Sequence, residues 1–152
     1  MKRRALVLGG AAAPLAALTA TGADGATDRR HLRLRARTDD RPFSDAVIVD
    51  RTIYLAGKLG LDPATSRPPA DAAAEARLVL DAVQKTLDES GATMDDLVSV
   101  QVFCSDLAHY DTFNRVYASY FTTKGHPARA FIGSGPLLYG ARFEVQGIAV
   151  KR

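Results

Sequence analysis

Residues 71–89 read Asp71-Ala72-Ala73-Ala74-Glu75-Ala76-Arg77-Leu78-Val79-Leu80-Asp81-Ala82-Val83-Gln84-Lys85-Thr86-Leu87-Asp88-Glu89. Ala72, Ala76, Val79, Leu80, Val83 and Leu87 recur at the spacing that puts them on one helix face. Asp71 offers a carboxylate to the unpaired amides of the first turn, and Ser90-Gly91 ends the helix. β-rich runs lie on both sides. Upstream, Ala46-Val47-Ile48-Val49 and Ile53-Tyr54-Leu55-Ala56 flank Asp50-Arg51-Thr52 as a hairpin, and Gly57, Gly60 and Asp62-Pro63 open a loop that runs through Pro68-Pro69. Downstream, Leu97 to Cys104 reads as a third strand. A second helix follows from Asp106 to about Phe121, with Phe113, Val116, Tyr117 and Tyr120 as an aromatic stripe of the kind that enters a core, and Lys124-Gly125-His126-Pro127 stops it. Strands resume over 128–132, pause at Gly133-Ser134-Gly135-Pro136 and close over 141–150. The order β-β-α-β-α-β-β predicts one α+β domain, a mixed β-sheet with two helices packed on one face.

The 152 residues leave room for one domain once a leader is removed. Lys2-Arg3-Arg4, an apolar run from Ala5 to Ala20 and small residues at Thr21-Gly22-Ala23 have the layout of a secretory signal peptide over residues 1–23, by the Sec or the Tat route. The expected mature protein is therefore exported, to the periplasm or the medium, with no membrane contact. The formal charge is +3, from 20 basic and 17 acidic residues. Removing the three basic residues of the leader, which holds no acid, leaves 17 against 17. A balanced chain offers no global field to nucleic acid, so none is expected as a partner. Local basic character remains over 24–41, where Arg29, Arg30, Arg33, Arg35 and Arg37 alternate with Leu32, Leu34 and Ala36. That pattern reads as an arginine-rich arm or an edge strand with a charged outer face.

Gly133-Ser134-Gly135-Pro136 lacks a following lysine and opens no helix, which leaves a turn rather than a phosphate cradle. Cys104, the single cysteine, falls with Val100 and Val102 on one strand face and reads as a small core residue. Three histidines without ligand spacing point to no metal site.

Two charged residues stand out. Arg129, in Pro127-Ala128-Arg129, is a natural carboxylate clamp, because its fork gives two parallel charge-assisted hydrogen bonds. Glu144 interrupts the apolar strand Ala141-Arg142-Phe143-Glu144-Val145-Gln146-Gly147-Ile148-Ala149-Val150, where a carboxylate is costly to bury without a partner or a task. The alternatives at this point are a site that binds a small anion and moves a proton, and a structural Arg–Glu ion pair.

From about Pro42 to Val150 the chain resembles the RidA (YjgF-like) reactive-intermediate enamine/imine deaminase family. The resemblance rests on Pro42-Phe43-Ser44-Asp45-Ala46-Val47, Ala56-Gly57-Lys58-Leu59-Gly60-Leu61-Asp62-Pro63 and Val102-Phe103 with Asp106. It continues through Phe113-Asn114-Arg115-Val116-Tyr117, Tyr120-Phe121, Pro127-Ala128-Arg129 and Glu144–Val150. It implies a chorismate-mutase-like fold over 42–152, a homotrimer with clefts between subunits, and no cofactor. It also implies hydrolysis of small 2-enamino or 2-imino carboxylic acids to 2-oxo acids and ammonia. Arg129 would hold the substrate carboxylate and Glu144 would assist the attacking water, with Phe43, Asn114, Phe131 and Gly57 around the substrate. Phe43, where tyrosine is common, and Ala56, where serine is common, remove two hydroxyls. Lys58 stands where glutamine is common, and Phe131 replaces a residue that is often small. A RidA-fold protein that binds small carboxylates without turnover is the alternative reading, with holdase-like or RNA-cleaving roles behind it.

Overall fold

The computed structural model describes residues 28–122 and 125–152. The expected leader, residues 24–27 of the expected arm and Lys124 lie outside the described residues. Six strands, β1 (Arg29–Leu32), β2 (Ala46–Val49), β3 (Thr52–Leu59), β4 (Leu97–Cys104), β5 (Ala128–Gly133) and β6 (Phe143–Val150), form one sheet in the order β1-β2-β3-β6-β4-β5. β4 and β5 run parallel and the other neighbours antiparallel, so the sheet is mixed. Helices α1 (Ala72–Ser90) and α2 (Tyr110–Ala118) pack on one face, α2 serving as the crossover that a parallel pair requires.

Local chemistry sets α1 as expected. The Asp71 carboxylate accepts from the amides of Ala73 and Ala74 at 3.3 and 2.9 Å, and Gly91 takes the left-handed conformation (φ 80°) that closes the helix. Val79, Leu80, Val83 and Leu87 are buried against Ile53, Leu55, Val100, Val102, Phe143 and Val145 of the sheet. The stripe on α2 enters the same core through Phe113, Val116 and Tyr117, and Cys104 is fully buried.

Three boundaries differ from the sequence reading. β3 does not stop at Gly57 but runs to Leu59, because the glycine sits in a register shift between Leu55 and Lys58, a bulge rather than a break. The second helix is shorter at both ends: the Asp106 carboxylate accepts from Ala108 at 2.9 Å and caps a separate 3-10 turn, Leu107–His109, and the helix stops at Ala118 rather than near Phe121. The arm is an edge strand only over Arg29–Leu32; residues 33–45 then fold back over the sheet edge. Arg37 explains that departure. Its side chain is 5% exposed and points inward, donating to Asp39, Asp45 and the carbonyls of Arg41 and Phe43. Such donor saturation outweighs the outward-facing pattern that alternation suggests.

A second buried polar group anchors the strand that carries Glu144. Glu75, on the inner face of α1, is fully buried. Its carboxylate receives the amides of Arg142 and Phe143 and the Arg142 guanidinium at 2.6 Å. Arg142 also donates to the carbonyls of Pro69 and Ala70, which pins the loop before α1 to the start of β6. Gly60 lies so close that a Cβ there would fall 2.3 Å from the Glu75 carbonyl oxygen.

Candidate active site

Strand register places the two charged residues on opposite faces of the sheet. Arg129 pairs with Val100, and Phe131 with Val102, so both point toward the helices. Glu144 pairs with Phe103 on one side and Leu59 on the other, and its neighbours Phe143 and Val145 are the ones turned into the core. Glu144 therefore faces away from the helices. β5 is also an edge strand, one strand removed from β6. The expected pair does not meet within one chain, and no ion pair joins the two residues. A structural Arg129–Glu144 ion pair within one chain is thereby excluded.

Arg129, half-buried, is mounted on α2. Its Nη2 donates to Asn114 Oδ1 at 2.7 Å, and the guanidinium carbon lies 4.6 Å from the centroid of the Tyr117 ring. Asn114 and Tyr117 are three apart on the helix and so share a face. Among the described residues no carboxylate approaches this guanidinium. Phe131 stacks edge-on against Tyr110 and Phe113, at 4.9 and 5.5 Å, and walls the clamp on the strand side, 5.7 Å from Arg129. Burial pushes the Tyr117 phenol up to about 12 against the opposing pull of Arg129, which keeps it neutral at ordinary pH. Its hydroxyl is buried without a partner among the described residues. The sequence reading took Tyr117 only as core; its place one turn after Asn114 was the available signal for a second role.

Glu144 belongs to a different group. Its carboxylate lies over the backbone of Gly57, and a Cβ there would sit 2.1 Å from Glu144 Oε1. Only glycine permits that approach. The two residues line a cleft of about 510 Å³ with Phe43, Ala56, Lys58 and Tyr139. Among the described residues nothing donates to or pairs with the Glu144 carboxylate. Asp45, in the same cleft, is engaged instead. Burial alone would raise its pKa, but Lys58 at 2.7 Å, the amide of Leu34 and Arg37 at 3.2 Å together hold it below the usual carboxylate range. Glu144 is thus the cleft carboxylate without a partner among the described residues. Phe43 sits against two guanidinium groups, Arg37 at 4.5 Å and Arg41 at 5.3 Å.

Of the six expected site residues, the chain therefore assembles Arg129, Asn114 and Phe131 in one place, and Glu144, Gly57 and Phe43 in another. The first set can orient a carboxylate; the second can accept a proton in a partly desolvated cleft. The sequence reading missed Tyr139, whose exposed ring stands at the cleft mouth on a left-handed backbone (φ 59°). The adjacent Gly140 signalled a turn but not this geometry.

Residues 35–151 match a family model described as Endoribonuclease L-PSP. The chain is 39% identical over 111 residues to the 2-iminobutanoate/2-iminopropanoate deaminase of Bos taurus, an overlap of 72% of this chain and 80% of that protein. Among solved structures, yeast Mmf1 is similar with a TM-score of 0.75 and 27% identity, covering 82% of this chain and all of that one. The YjgF gene product of E. coli is similar with a TM-score of 0.72 and 31% identity, covering 80% and 97%.

Proposed function

The chain belongs to the endoribonuclease L-PSP family, the RidA or YjgF-like proteins, and on that premise we propose that it hydrolyses 2-enamino or 2-imino carboxylic acids to 2-oxo acids and ammonia, at sites shared between copies of the chain. The observation that carries this reading is the division of the site. Clamp and carboxylate stand on opposite faces of one sheet, each built in its own surroundings and each without the other. A closed homotrimer that sets the β5 edge of one copy against the Glu144 cleft of the next would unite them at every interface.

In that composite site Arg129 takes the substrate carboxylate in a two-pronged grip, with Asn114 and Tyr117 fixing its direction. C2 of the iminium is already electrophilic. Glu144 accepts a proton as water adds to C2 and returns it to the amine; as the C–N bond breaks, the carbinolamine hydroxyl becomes the 2-oxo group and its proton passes to the departing nitrogen. Ammonium and the 2-oxo acid leave. The reaction is redox-neutral and calls for no cofactor.

Phe43 and Ala56 give the cleft no hydroxyl, and this favours a second reading in which small carboxylates bind without turnover. Ammonia and 2-oxo acid release from enzymatically generated 2-iminopropanoate tests the first. A rate above buffer, proportional to protein, is expected; no acceleration, together with thermal stabilisation by small carboxylates, would favour the second. Export behind a leader at residues 1–23, with the family domain over 42–152, completes the proposal.

A further inference from the structure

We propose that Glu75, fully buried on the helix side of the sheet, is a positioning residue for the reaction: it sets where Glu144 stands and keeps that carboxylate unpaired. This rests on the deaminase reading and adds to it a residue that touches neither substrate nor the attacking water.

Glu144 has little of its own to hold it. It is the second residue of β6, at a strand end of the kind that frays, and no side chain among the described residues bonds its carboxylate. Its place is therefore the place of its backbone. Glu75 fixes that backbone from the opposite face. Its Oε1 accepts from the amides of Arg142 at 2.5 Å and Phe143 at 3.1 Å, the two residues that lead into Glu144. The amide of Ser105 adds to the restraint, donating to the Arg142 carbonyl at 2.9 Å.

The end of β3 is shaped to both carboxylate residues. Gly57 leaves room for the Glu144 side chain on the open face of the sheet. Gly60, three positions on, leaves room for the backbone and Cγ of Glu75 on the helix side, and a Cβ at either glycine would collide. One short stretch of backbone thus sets the distance between the two residues.

Charge gives Glu75 a second hold on the site. Strand alternation continued one step before β6 would put Arg142 on the face of Glu144, two positions away, within reach of its carboxylate. Glu75 Oε2 instead draws the guanidinium to the helix side at 2.6 Å, where the carbonyls of Pro69 and Ala70 also accept from it at 2.9 and 3.0 Å. The nearest cation in the chain to Glu144 is thereby withheld from the residue that must accept a proton. An amide at position 75 would still accept the two backbone N–H groups, but it would give up the charge-assisted bond that detains Arg142.

Steady-state kinetics on 2-iminopropanoate, generated by an amino-acid oxidase, provides the test. The full chain is compared with Glu75→Gln, Glu144→Gln and the double variant, at a temperature where circular dichroism shows each to be folded. Glu75→Gln should lower kcat by about tenfold or more, the scale of a small misplacement of a catalytic group. KM should change by less than about twofold, because the Arg129 clamp is built on β5 and α2. With Glu144→Gln already present, adding Glu75→Gln should lower the residual kcat by less than about twofold, since a residue that acts through Glu144 has nothing left to act on. Partial unfolding would instead lower both backgrounds alike. Should Glu75→Gln not fold, Glu75→Asp takes its place with the same expectations, its carboxylate one methylene short of the two amides. An unchanged kcat in the folded variant, or an equal loss with and without Glu144, would overturn the positioning role and leave the deaminase reading standing. No turnover by the unaltered chain would overturn both.

Discussion

Arg129→Ala should lower kcat/KM for a 2-imino acid by two to three orders of magnitude, about 3–4 kcal/mol, the range typical of removing one partner of a desolvated charge pair. The guanidinium gives a carboxylate two parallel bonds, and α2 holds it ready for them through Asn114 at 2.7 Å and the Tyr117 ring at 4.6 Å. Arg129→Lys should recover little, because an ammonium cannot reproduce the fork or lie flat on the ring. A fall in kcat as well as a rise in KM is expected, since the clamp orients the reacting carbon besides holding the substrate. Stability should change little, because Arg129 is half-buried on an edge strand. Steady-state kinetics beside a thermal melt separates these effects. Full retention of kcat/KM in Arg129→Ala would remove the clamp from the mechanism.

The largest effect on stability belongs to Glu75. Glu75→Ala should cost about 3–5 kcal/mol, because breaking a buried pair strands its partners without compensation. Here those partners are the Arg142 guanidinium and the amides of Arg142 and Phe143. The loss corresponds to a fall in Tm on the order of 10–20 °C for a domain of this size. Glu75→Gln should lose roughly half as much, since an amide oxygen still accepts the two backbone N–H groups. Chemical denaturation at one fixed protein concentration is the appropriate measurement, because any association of copies adds to the apparent stability. A cost below about 1 kcal/mol for Glu75→Ala would show that the anchor is dispensable.

Much of this architecture was legible in the sequence because local chemistry and global fold agree. Asp71 and Gly91 bound α1, the apolar residues between them form its buried face, and the hairpin, β4 and β6 follow from strand alternation. Glu144 stood out in the sequence because it carries a charge into an apolar strand, and Arg129 because its fork suits a carboxylate. Their separation was not identifiable, since it depends on which strands are neighbours and on the parity of the register. Arg37 was misread for a related reason. Alternation predicts a charged outer face, but it cannot report that Asp39, Asp45 and two carbonyls converge on one guanidinium. Glu75 did leave a trace, an acid three residues after Ala72 and four before Val79 on the apolar face; its partners lie more than sixty positions away.

The central claim is that Arg129 of one copy works with Glu144 of another. Subunit mixing tests it most directly. Arg129→Ala and Glu144→Gln are each prepared alone, then unfolded together in equal amounts and refolded. Each variant retains the half-site that the other has lost. In a randomly mixed closed ring about a quarter of the interfaces would join an intact Arg129 to an intact Glu144, so activity should return to about a quarter of wild type. Activity no greater than the average of the two variants refolded separately would contradict a site shared between subunits.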